Sequence, residues 1–107
     1  MNIEEKRNYA LRLLKKYPNS IPIILKKSGK DTPDIDKTKF IVPRDIQVSQ
    51  FIYTIRNRIK LRDDQAIFIF FRGQLANTTS TIFKVYENHK SDDDILYGFY
   101  SLENTFG

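Results

Sequence analysis

His89 is the only imidazole this 107-residue chain could use as a general base, and the chain carries no thiol. Without Cys it has no disulfide, no thiolate metal site and no thiol nucleophile of its own. His89 has no obvious Ser or Cys partner nearby and reads as a surface residue at a helix end. Asp92, Asp93 and Asp94 cluster three carboxylates without the spacing of a calcium loop, so they read as a solvated turn. Gly73 follows Arg72 in a turn, and neither GxGxxG nor GxxxxGK[ST] is present to cradle a phosphate. Most hydrolase and transferase mechanisms are therefore poorly supplied in this chain, and no metal or cofactor is expected. Its remaining chemistry is recognition by cations and apolar strand residues.

The cations are unevenly spread. Net charge is +5, but residues 1–62 carry +9 and residues 63–107 carry −4. Such asymmetry favours anionic partners: an acidic peptide, nucleic acid or anionic lipid. Charge alone does not choose among them. The longest apolar run, Ala66 to Phe71, is far below the ~20 residues a bilayer-crossing helix needs. The N-terminal stretch is charged and lacks the apolar centre of a signal peptide. A cytoplasmic location is expected.

The elements that must position these groups follow from periodicity. Ile3 to Lys16 predicts a helix, with Ile3, Ala10, Leu13 and Leu14 on one stripe, Tyr9 and Tyr17 near it, and Pro18 as its stop. Ile21 to Lys27 and Lys39 to Pro43 predict two strands, the second an edge strand because of its Pro and lysines. Val48 to Leu61 predicts a long helix with Val48, Phe51, Ile52, Ile55 and Ile59 on one face. Ala66 to Phe71 predicts a buried strand, Thr81 to His89 a short helix, and Ile95 to Tyr100 the last strand. This order is the plan of an α+β, ubiquitin-like β-grasp. It has a four-stranded mixed sheet, a long central helix and an N-terminal helix, with the first and last strands parallel at the centre. One domain spans 1–107: helix 1–17, core 18–101 and tail 102–107.

Several segments together resemble one family. Lys16-Tyr17-Pro18 precedes Ile21-Pro22-Ile23-Ile24. Asp36-Lys37 leads into Lys39-Phe40-Ile41-Val42-Pro43, then Val48-Ser49-Gln50-Phe51 and Ile55-Arg56-Asn57-Arg58-Ile59. Leu96-Tyr97 runs to Tyr100-Ser101, and Thr105-Phe106-Gly107 ends the chain. From about Ile3 to Gly107 the chain resembles the ubiquitin-like autophagy modifiers of the GABARAP and light-chain-three family.

The resemblance implies roles. Gly107 would be activated and joined to phosphatidylethanolamine, with Phe106 recognised by the conjugating enzymes. A Gly carbonyl is open to attack and its backbone threads a narrow cleft. Partners would be the activating and conjugating enzymes, a processing or deconjugating cysteine protease, and receptors with aromatic-x-x-aliphatic motifs. The aromatic pocket would comprise Tyr9, Leu13, Pro22, Lys39, Ile41 and Ile95. The aliphatic pocket would comprise Phe40, Val42, Pro43, Ile46, Phe51 and Ile55. Lys37, Lys39 and Arg58 would attract acidic flanks. The protein would be a monomer, cytoplasmic until lipidated and then on the autophagosomal membrane.

Some positions depart from the family pattern. Tyr9 stands where an acidic residue is common, Ser20 where Arg is, Ile95 where Phe is, and Thr54 where Leu lies beneath the aliphatic pocket. About ten residues expected before Ile3 are missing, so one of two N-terminal helices is expected to be absent or reduced. Three competing readings stay open. They are conjugation to a protein lysine, an unconjugated binding domain, and a basic nucleic-acid-binding module. No RNA or DNA motif supports the last of these.

Overall fold

The structure is a computed structural model and describes residues 2–102. Helix α1 (Ile3–Lys16) opens on Asn2, whose side chain accepts a hydrogen bond from the Glu5 amide at 2.8 Å. Glu4 and Glu5 lie in its first turn and Lys15 and Lys16 in its last, matching the helix dipole. Then come β1 (Ser20–Lys27), β2 (Lys39–Pro43), helix α2 (Val48–Arg58), β3 (Ile67–Phe71), β4 (Gln74–Leu75), helix α3 (Ile82–His89) and β5 (Leu96–Leu102).

The strands form one mixed sheet in the order β2-β1-β5-β3-β4. β1 and β5 run parallel at the centre, in register from Ile23↔Leu96 to Lys27↔Tyr100. β2 pairs antiparallel with β1, and β3 antiparallel with β5. The expected β-grasp is therefore present with five strands instead of four. The extra strand, β4, is two residues long and returns from β3 through Arg72 and Gly73, both at positive φ. Two left-handed residues in a two-residue loop match the twist of antiparallel strands.

Strand alternation builds the core. Ile21, Ile23 and Leu25 of β1, Phe40 and Val42 of β2, Ile67, Ile69 and Phe71 of β3, and Leu96 and Tyr100 of β5 are buried. Val48, Phe51 and Ile55 of α2 are buried with them. Gly98 in β5 is required by this packing, since a Cβ there would lie 2.8 Å from the Phe71 ring and 3.1 Å from Leu25 Cδ1.

α2 stops three residues before the predicted Leu61. Ile59 is extended yet buried, so it keeps its core contact without the helix. The Arg56 guanidinium binds the carbonyls of Gln65 and Arg62, which folds the following loop back onto α2. α1 contributes less than expected: Ala10 is buried, whereas Leu13 and Leu14 are only half-buried. The Asp92–Asp94 turn also differs from expectation. Asp93 is buried, and its carboxylate accepts from the Ile95 amide at 3.0 Å and from the Tyr97 hydroxyl at 2.5 Å. Among the described residues no cluster of His, Asp and Glu could hold a metal ion. No described helix is long and apolar enough to cross a membrane.

Candidate functional site

Among the described residues β2 lies at one border of the sheet and pairs only with β1. Its outer edge therefore offers backbone donors and acceptors to an incoming strand. Alternation along Lys39–Pro43 sends its side chains to two faces with opposite characters.

On the core face, Phe40 and Val42 are 7% and 5% exposed. The Phe40 ring meets Phe51 edge to face with centroids 5.7 Å apart. Phe51 and Ile55 beneath them are closed off, Ile46 is half-buried against the same core, and Pro43 is exposed. The residues expected to form an aliphatic pocket are thus brought together but packed shut. Thr54 is exposed, and its hydroxyl donates to the Gln50 carbonyl at 3.1 Å on its own helix.

On the other face the site is open. Tyr9 projects from α1 beside β2, with Lys39 Nζ 5.2 Å from its ring centroid. Three clefts meet at this ring. One of about 490 Å³ runs along β2 past Lys37, Phe40, Ile41 and Pro43. One of about 300 Å³ lies among Tyr9, Arg12, Leu13 and Lys16. The third, about 340 Å³, lies between α1 and the sheet and reaches Ile24 and Tyr97. Of the expected aromatic pocket, Tyr9, Leu13, Lys39 and Ile41 line these clefts. Pro22 and Ile95 are fully buried, with Pro22 paired across the ladder with Ile41.

The rim is cationic. Lys37 Nζ lies 5.0 Å from the Phe40 ring, and the Arg58 guanidinium 5.9 Å from it. Arg58 also pairs with Asp36 at 3.3 Å, so an acidic ligand must compete for it. Lys37 and Lys39 have no such carboxylate partner among the described residues. α1 is fixed to this site by polar ties. The Arg7 guanidinium donates to the Asp92 carbonyl at 3.0 and 3.3 Å, and Lys6 Nζ sits 5.6 Å from the Tyr97 ring. Burial, the bond to Asp93 and the Asp93 charge push the Tyr97 hydroxyl well above its ordinary range, so it stays protonated as a donor.

Lys6, Lys26 and Tyr97 also line these clefts, and sequence reasoning missed them. They converge from α1, β1 and β5, and only the sheet order brings them together. His89, at the end of α3, is half-buried and lies in a separate cleft with Leu75 and Lys84. Phe106 and Gly107 lie outside the described residues.

Comparison with known proteins agrees with this architecture. Residues 5–107 match the family model described as autophagy protein Atg8, ubiquitin like. The chain is 46% identical over 106 residues to autophagy-related protein 8a of Arabidopsis thaliana, covering 98% of this chain and 87% of that protein. It is 47% identical over 107 residues to autophagy-related protein 8 of Mycosarcoma maydis, covering 99% and 91%. The crystal structure of Trypanosoma brucei ATG8 superposes with a TM-score of 0.92 at 30% identity, covering 100% of this chain and 93% of that one. A β-grasp with an α1 helix over its outer face, matched in sequence and in shape across nearly its whole length, places this chain in the Atg8 family of ubiquitin-like autophagy proteins.

Proposed function

We propose that this protein is a modifier and scaffold, not an enzyme. It is conjugated through Gly107 to phosphatidylethanolamine and recruits proteins with aromatic-x-x-aliphatic motifs to the autophagosomal membrane. The observation that carries the recruiting half is the free edge of β2, with clefts opening on Tyr9, Lys39 and Ile41 beside it. A peptide in extended form adds to that edge by strand hydrogen bonds, and its aromatic residue enters beside Tyr9. Each buried anchor contributes about 1.5–3 kcal/mol. Ordering the peptide offsets part of this, which gives an affinity in the micromolar range, about −8 kcal/mol. The aliphatic anchor requires Phe40, Val42 and Ile46 to part from Phe51, because that side is closed in the free protein.

Family membership supports the conjugating half. The chain has no Cys to carry a thioester, so activation, transfer, processing and release belong to partner enzymes, among them a cysteine protease. Tethering to a surface raises effective concentration, which makes weak groove contacts useful.

Reconstitution with the cognate activating and conjugating enzymes and phosphatidylethanolamine liposomes tests this. A lipid adduct is expected with the native chain and none with Gly107→Ala. An isopeptide remnant on protein lysines, found by mass spectrometry of conjugates from cells, would instead establish a protein modifier.

A further inference from the structure

All three clefts around Tyr9 are cationic, and the one between α1 and the sheet is lined by the most lysines. The one between α1 and the sheet has the rings of Tyr9 and Tyr97 and the side chain of Ile24 as its apolar surface. Lys6, Lys26 and Lys39 also line it, and no carboxylate among the described residues does. None of these lysines pairs with a carboxylate among the described residues. Two of them rest on aromatic faces, Lys6 on Tyr97 and Lys39 on Tyr9. Asp93, which touches the cleft through the Tyr97 hydroxyl, is buried and already accepts two hydrogen bonds. Three lysines thus line one cleft without a carboxylate partner among the described residues, a charge pattern that favours an anion. Ring walls select an aromatic group. Convergent ammonium donors select a dianion with several acceptor oxygens.

We propose that this cleft receives the phosphorylated tyrosine of a peptide lying along β2, its ring between Tyr9 and Tyr97 and its phosphate among Lys6, Lys26 and Lys39. The inference rests on the groove reading above and specifies a ligand for it. The edge of β2 holds the peptide backbone, and Lys39 is shared by the strand edge and the cleft. Thr38 adds a hydroxyl donor to the same space. A phosphoserine supplies the charge but leaves the ring walls unfilled.

Calorimetry on the full chain with four short peptides tests this. They share one motif and differ at the anchor: Tyr, phosphotyrosine, Phe or phosphoserine. The phosphotyrosine peptide is expected to bind at least about tenfold tighter than the Tyr peptide at low ionic strength. That gain shrinks as salt is added. The double variant Lys6→Gln with Lys26→Gln should abolish the gain, so that the phosphotyrosine and Tyr peptides bind it alike. A phosphotyrosine peptide that binds no better than the Tyr peptide, when Tyr and Phe peptides both bind, overturns the assignment and leaves the groove standing. So does an undiminished gain in the double variant. An equal gain from phosphoserine overturns the aromatic half. Binding to phosphoinositide vesicles that the double variant loses, without any phosphopeptide gain, assigns the lysines to a membrane and overturns the proposal. If none of the four peptides binds the folded chain, the groove reading itself falls.

Discussion

The two longest helices pack on opposite faces of the sheet and are held there by different physics. α2 sinks Val48, Phe51 and Ile55 into the core, each no more than 1% exposed. α1 buries only Ala10 and leaves Ile3 and Leu11 more than half or half exposed, at 56% and 50%. Its hold comes from Arg7 on the Asp92 carbonyl and from lysines over the Tyr97 and Tyr9 rings. A helix fixed by apolar burial moves only when the core opens. One fixed by a few exposed polar contacts shifts at small cost. Every cleft meeting at Tyr9 has α1 as a wall, so in the proposed function the loosely held helix shapes recognition while α2 secures the fold.

The largest expected effect breaks the α2 side. Phe51→Ala should cost about 3–5 kcal/mol in urea unfolding, whereas Leu13→Ala on α1 should cost about 1 kcal/mol. Comparable losses would erase the distinction between the helices. Neighbouring residues on β2 sharpen it further. Phe40→Ala should cost about 3 kcal/mol, since it empties the site against Phe51. Ile41→Ala should leave the unfolding curve nearly unchanged and weaken an aromatic-x-x-aliphatic peptide several-fold by calorimetry. Equal peptide affinity for Ile41→Ala would remove the open face of β2 from the binding surface.

Asp93→Ala is expected to cost about 1–3 kcal/mol, because the Ile95 amide and Tyr97 hydroxyl lose their acceptor. A neutral result in thermal unfolding would make Asp93 the solvated residue its neighbours suggest. Alkaline pH probes the same corner. Burial, with the nearby charges of Asp94 and Asp93, pushes the Tyr86 hydroxyl up to about 12. The unfolded chain releases that proton near 10, so it holds fewer protons than the native state between about pH 10 and 12. Stability contributed by this group is full below pH 10 and declines as pH rises through that window. The urea midpoint should fall accordingly, and less steeply in Tyr86→Phe. The smallest effect lies on α1. Arg7→Ala should lose about 1 kcal/mol, read as faster amide exchange confined to α1. Faster exchange spread through α2 would show that the two helices are coupled.

Much of the scaffold was legible because strong local signals agree. The Lys39-to-Pro43 strand and the Ile3-to-Lys16 helix have the predicted limits, set by Pro43 at one and Pro18 beyond the other. The parallel central pair followed from element order alone. β4 was missed because two residues, Gln74 and Leu75, are too short to show a period. α2 ended early because Arg56 binds carbonyls of the next loop, a contact without a sequence signature. Asp93 was misjudged because three identical neighbours look alike in sequence, while only the middle one faces Tyr97. Tyr9, Lys39 and Ile41 were legible as neighbours along the cleft beside β2. Lys6, Lys26 and Tyr97 were not, because their meeting depends on sheet order.

The parallel β1–β5 pair has a mechanical consequence. Were the chain tethered at Gly107 as proposed, tension would enter the described fold through β5, which is zipped on one side to β1 and on the other to β3. Rungs set across the direction of pull must rupture together, whereas an outer ribbon peels one rung at a time. A peptide gripped at β2 as proposed would pass its tug through β1 to the same central ribbon. Tension between the proposed anchor and cargo would then load in shear the part of the sheet most resistant to it.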